Sequence, residues 1–205
     1  MSSNLQIAAQ DPIRRIQRIQ AITIVWMIIE TGTSLWAAWR ARSPALLAFG
    51  GDSAIELLSA AVVLWRFRHH LSDERAERRA VRIAAVLLLV LALYVIVASA
   101  ATLLSHREPE SSSLGIIVLI AASLVMPWLA REKRRLSSAT GSDALRADAV
   151  ESMLCAYLSL IALAGLAGHA FFGIAWADPM AALALVPLIV WEAVRAFRGK
   201  PCGCC

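Results

Sequence analysis

No spaced cysteine framework runs through this chain. Of its four cysteines, Cys155 falls in a hydrophobic stretch and Cys202, Cys204 and Cys205 form the terminal CGCC, so the pattern that staples small secreted domains is absent. A cleavable leader is not expected either: the opening MSSNLQIAAQDPIRRIQRIQ is polar and basic, with no short apolar core ahead of a small-residue cleavage site. The first hydrophobic segment is therefore expected to be retained as a helix. No nucleophile–base arrangement or cofactor motif stands out, which argues against an enzyme. Above all the chain lacks polar residues, since 59% of it is hydrophobic, whereas soluble domains carry about 45–50%.

Those apolar residues fall into blocks long enough to cross a bilayer, which takes about 20 residues at ~1.5 Å each. Six can be read, roughly Ile22 to Trp39, Ala45 to Trp65, Val81 to Leu104, Leu114 to Ala130, Ala147 to Phe172 and Ala175 to Phe197. The expected fold is an all-α membrane protein of six transmembrane helices. Residues 1–20 would form a cytoplasmic segment, 21–198 the helical domain and 199–205 a cysteine-rich cytoplasmic tail. Ser43 and Pro44 suit the cap and first turn of the second helix. Asp178-Pro179 reads as the start of the sixth, with the carboxylate favourable at the helix dipole. Pro187 is expected to kink that helix, and Gly165 and Gly168 to permit close packing of the fifth.

Charge between the blocks is lopsided. Arg14, Arg15 and Arg18 precede helix 1, six arginines from Arg66 to Arg82 crowd the link between helices 2 and 3, and Arg131, Lys133, Arg134 and Arg135 follow helix 4. Arg195, Arg198 and Lys200 close helix 6, while the alternate connections hold only Arg40, Arg42 and Arg107. By the positive-inside rule both termini are cytoplasmic. The net charge of +5 is then explained by topology, and a nucleic-acid partner is not expected. Trp26, Trp65, Trp128 and Trp191 near the cytoplasmic ends, with Trp36, Trp39 and Trp176 near the external ends, read as interfacial anchors.

Carboxylates inside the hydrophobic blocks are the exception that needs a reason. A charge at the bilayer centre costs about 2.5–3.5 kcal/mol on insertion scales, so such residues usually face an interior cavity. Glu30 lies in helix 1, Asp52 and Glu56 in helix 2, and Glu151 in helix 5, with Asp148 one turn nearer the cytoplasm. Asp52 and Glu56 share a face at i, i+4, as do Glu151 and Cys155. Helix 2 enters from outside and helix 5 from the cytoplasm, so each pair lies ~12–18 Å from its own surface. If helices 2 and 5 are neighbours, three carboxylates and a thiol converge near the midplane. Oxygen and sulfur donors suit a divalent cation, and a thiolate argues against magnesium or calcium. A hydrogen-bonded cluster that only packs helices is the alternative.

The same residues carry a resemblance. SPALLAFGGDSAIELLSAAVVLWRFR (43–68), SDALRADAVESMLCAYLSL (142–160) and WADPMAALALVPLIVWEAVRAF (176–197) resemble the cation diffusion facilitator family. That resemblance implies a six-helix, homodimeric, proton-coupled exporter of divalent cations, zinc foremost, in a cell membrane. It implies that the family's acidic pair on helix 2 falls on Asp52 and Glu56, and that its helix 5 pattern falls on Ala147, Asp148, Ala149, Glu151 and Cys155. Glu56 stands where aspartate is usual, and Glu151 and Cys155 stand where histidine and aspartate are usual, so cadmium, manganese, cobalt and iron stay open beside zinc. Many members carry a cytosolic C-terminal domain; GKPCGCC stands in its place, and a short form is expected.

Four ionised donors would exceed a divalent charge by two, so neighbouring acids should retain protons until metal expels them. Glu30 and Asp148 are candidates for proton relay or support of the site. His69, His70 and Asp73, and the tail Cys202, Cys204 and Cys205, are candidates for accessory metal capture, with a solvated loop and a plain tail as the alternatives. His169 is expected near the outer interface. A rival function is a non-transporting membrane metal sensor or adaptor in which the tail cysteines act and the buried acids are structural. No resident cofactor is expected; the partners are metal ions, protons, lipid and a second copy of the chain.

Overall fold

The computed structural model describes residues 2–69, 74–105, 112–140 and 143–198. They form six α-helices, named here in chain order: α1 Ser2–Ala41, α2 Pro44–His69, α3 Glu74–Ser105, α4 Ser113–Thr140, α5 Asp143–Phe172 and α6 Ala177–Phe197. No strand occurs among the described residues. His70, Asp73, Cys202, Cys204 and Cys205 lie outside them.

Local chemistry explains where the helices begin and end. Ser43 caps α2, its Oγ accepting from Leu46 N at 3.1 Å, with Pro44 at the first helical position. Arg42 adopts φ 51°, the left-handed conformation that stops α1, and Ser43 N donates back to Ala38 O at 3.2 Å. Gly173, at φ 64°, ends α5 in the same region, its N–H donating to His169 O at 3.0 Å. Ser112 caps α4 through Gly115 N at 3.0 Å.

Two boundaries differ from expectation. The basic run Arg131 to Arg135 is not a loop, because α4 continues to Thr140. Arg, Glu, Lys and Leu are all good helix formers, and no Gly or Pro intervenes before Gly141. α1 likewise begins at Ser2, taking in most of the polar opening segment.

The helices pack in a definite order. α1, α2, α5 and α4 form a closed ring, with α1 on α2, α2 on α5, α5 on α4 and α4 on α1. α3 and α6 pair with each other and attach through α2 and α5. Small residues set the closest approaches. A Cβ on Gly50 would press on the Leu35 backbone of α1, and one on Gly165 would collide with Ala181 of α6. Large apolar side chains cover the outside, Leu93, Val90, Ile83, Ile117 and Leu124 among them. On α3, Ala85, Leu88, Ala92, Val95 and Ser99 are buried, a helical stripe at three- and four-residue spacing, with Ala84 and Leu91 packed beside it. Water does not favour such a surface, whereas hydrocarbon does. Five of the described helices are long and apolar enough to cross a membrane. α2 is not among the five; it has 26 residues, long enough to span, and carries Asp52 and Glu56 in its middle.

Candidate functional site

Glu30 is the node of the interior. Its carboxylate is fully buried and takes donors from three helices: Trp26 Nε1 at 2.6 Å from α1, Ser53 Oγ at 2.8 Å from α2 and the Cys155 thiol at 3.4 Å from α5. A buried carboxylate without such partners would be very costly, and three donors answer that need. Trp26 is therefore an inward hydrogen-bond donor, contrary to its reading as an interfacial anchor. Trp36, Trp39, Trp128, Trp176 and Trp191 are exposed on the apolar outer surface, as anchors would be.

Asp52 is as deeply buried, 2% exposed, yet its Oδ1 has no hydrogen-bond partner. Leaving a buried acceptor empty costs about 1–3 kcal/mol, so such an atom in a native interior calls for an explanation. It lies in the field of Glu192 of α6, Glu30 of α1 and Glu151 of α5. Glu56, half-buried one turn along α2, feels Glu192, Asp52, Glu151 and Glu30. Cys155, 1% exposed, lies within the same field of Glu30, Glu56 and Asp52. Glu151 differs, being exposed on the single chain, with Asp148 and Glu192 as its nearest acids and Lys133 and Arg195 as its nearest bases.

Of the four sequence-predicted ligands, then, Asp52, Glu56 and Cys155 share one interior region, and Glu151 stands at its edge. Among the described residues no three His, Cys, Asp or Glu side chains are already gathered about one metal-sized point. The arrangement is an array of acids on four helices with Glu30 tied up by hydrogen bonds and Asp52 unsatisfied.

Asp148 is tied into a polar group one turn toward the start of α5 from Glu151. It is held by Lys133 Nζ at 2.8 Å on Oδ1 and by Gln20 Nε2 at 2.6 Å on Oδ2, while Lys133 Nζ also donates to Ser152 Oγ at 2.9 Å. Lys133 was assigned by its charge to a cytoplasmic connection; it is instead fully buried within α4. Its ammonium is held by two oxygens of α5, from Asp148 and Ser152, while Gln20 of α1 secures Asp148 in turn. The His69 position is the last of α2. His169 is half-buried toward the end of α5, with Nδ1 unpartnered.

Sequence reasoning also passed over two residues. Ser53 escaped because a hydroxyl in a small-residue run gives no signal until its partner is known. Glu192 escaped because it lies between Trp191 and a basic helix end, where a carboxylate reads as ordinary surface charge. That its charge reaches the acids of α2 comes only from packing, whereas Arg195 is its neighbour along α6.

Comparison with known proteins agrees with this architecture. An uncharacterized transporter of Synechocystis sp. is 26% identical over 194 residues, which is 90% of this chain and 63% of that protein. The chain thus spans somewhat less than two thirds of that relative. Residues 20–199 match the cation efflux transmembrane domain. Six packed helices, an apolar outer surface and that match over most of the sequence make this an integral, multi-pass membrane protein, and the chain belongs to the cation efflux family.

Proposed function

We propose that the protein exports a divalent metal cation in exchange for protons, zinc being the foremost substrate, by alternating access around a midplane site between α2 and α5. Asp52, Glu56, Glu151 and Cys155 are the proposed ligands. The observation that carries this reading is the unpartnered Oδ1 of buried Asp52, surrounded by acids of α1, α5 and α6. A purely structural cluster would give that oxygen a donor, as it does for Glu30; a cation supplies what is missing.

The mechanism follows from charge and packing. Carboxylates and a thiol bind metal only when deprotonated, so a cation arriving among these acids displaces their protons. Cys155 must give up Glu30 to bind metal, and Glu151 must turn inward, so the ligand set assembles as the cation arrives. The helices that carry it, α2 and α5, touch over a limited length compared with the α4–α5 pair, which suits relative movement of two parts about a central site. Protons from the far side then refill the acids and release the metal. In this reading both termini face the cytoplasm, by the basic excess of their connections, and two copies of the chain associate in a cell membrane.

Reconstituted vesicles with internal zinc- and proton-sensitive dyes test the proposal. Wild type should move zinc and protons in opposite directions. Asp52→Asn should abolish both fluxes, while serine at positions 202, 204 and 205 should leave them within about twofold. Loss of flux from the tail variant with Asp52→Asn still active would favour a metal sensor instead.

A further inference from the structure

Asp178 fixes the relative height of two helices. Its Oδ1 accepts from Ser43 Oγ at 2.6 Å and its Oδ2 faces Ala45 N at 3.4 Å, and the residue is fully buried. α2 and α6 both begin at this clamp, pack against each other and run the same way. Residues can therefore be counted down both helices from one level. At about 1.5 Å per residue, Asp52 lies ~10 Å and Glu56 ~16 Å beyond Ala45, and Glu192 lies ~21 Å beyond Asp178. The three carboxylates form a ladder with rungs roughly one helical turn apart, and Glu192 is the rung farthest from the clamp.

The ladder has electrical continuity. The Glu192 charge reaches both Asp52 and Glu56, and the upper rung ends in the unpartnered Oδ1 of Asp52, 2% exposed. Glu192 itself is half-buried. Arg195, one turn further on, lies 4.5 Å over the ring of Trp191 and tempers the Glu192 charge.

We infer that Glu192 is the intake residue of the cation path, an α6 carboxylate that draws a hydrated divalent cation to the mouth remote from the Asp178 clamp and passes it to Glu56 and Asp52. The inference rests on the transport reading above and adds a third helix to the path. A fixed negative charge at the mouth of a cleft raises the local cation concentration without changing the fully bound site. Its removal should therefore raise KM and leave the maximal rate alone.

The experiment is cadmium and zinc flux in proteoliposomes at low ionic strength for wild type, Glu192→Gln, Glu192→Asp and Asp52→Asn. Glu192→Gln should raise KM about tenfold with an unchanged maximal rate, and Glu192→Asp, which keeps the charge, should restore KM to within about twofold. The wild-type KM should itself rise with added monovalent salt, as charge attraction is screened. A Glu192→Gln KM equal to wild type, or a wild-type KM indifferent to salt, overturns the intake role while inactive Asp52→Asn leaves the transport reading standing. Loss of maximal rate in Glu192→Gln, at normal KM, overturns it too. Wild type without metal flux overturns the transport reading itself.

Discussion

Lys133 shows what one side chain can decide. Its ammonium is buried to 0% exposure and bonded to Asp148 and Ser152, while Gln20 holds the other Asp148 oxygen. Asp148 is only part-buried, yet removing Lys133 leaves its charge with Gln20 alone. Lys133→Met should therefore destabilise the chain by about 3 kcal/mol, read as earlier thermal unfolding in detergent. Replacing both partners, Lys133→Met with Asp148→Asn, should recover part of that loss, since no charge is then abandoned. Equal stability of the single and double variants would contradict the pairing. Cys155 raises a separate expectation. A thiolate favours soft ions, so Cys155→Asp should shift preference from cadmium toward manganese, measured as relative flux of the two. Metal affinity should also rise with pH, about tenfold per unit for each proton released, because the ligands bind deprotonated. Affinity flat from mildly acidic to alkaline conditions would sink the proton-coupled reading.

At the scale of helices, close approach depends on residues without side chains. Gly165 lies where α5 meets α6, and its added Cβ would collide with Ala181 and crowd Ala177 O at 3.1 Å. Neither neighbour is a flexible chain end, so the helices themselves must part. Gly165→Val should cost about 1–3 kcal/mol through overpacking and weaken the seating of α6, including Asp178 on Ser43. Gly32, with nothing within 4 Å of the corresponding position, is the matched control. Thermal unfolding of Gly165→Val and Gly32→Ala in the same detergent checks this; similar losses at both positions would contradict it. The Ser43 and Asp178 helix starts were legible because capping chemistry is local. That the two starts are bonded to each other was not, because nothing local relates positions so distant in the chain.

For the whole molecule, six helices return the chain to the side on which it began. In the proposed topology, the basic connections assign that side to the cytoplasm. The native cysteines offer a direct measurement, since Cys155 is only 1% exposed. A membrane-impermeant maleimide should leave intact cells unlabelled and react with Cys202, Cys204 and Cys205 after permeabilisation. Labelling of intact cells at the tail would reverse the orientation and, with it, the direction assigned to transport.

Sequence by itself determined the helices and the unusual chemistry inside them. Hydrophobic length, caps and breakers act over a few residues, so six segments and the acids at Glu30, Asp52, Glu56 and Glu151 could be read directly. Tertiary structure decided what those side chains do. It gave Glu30 three donors, left Asp52 Oδ1 without one, buried Lys133 against Asp148 and brought the Glu192 charge within reach of the α2 acids. The reason is physical: a helix face is set by neighbours in sequence, whereas the partner of a buried polar group is set by which helices pack closely enough to reach it.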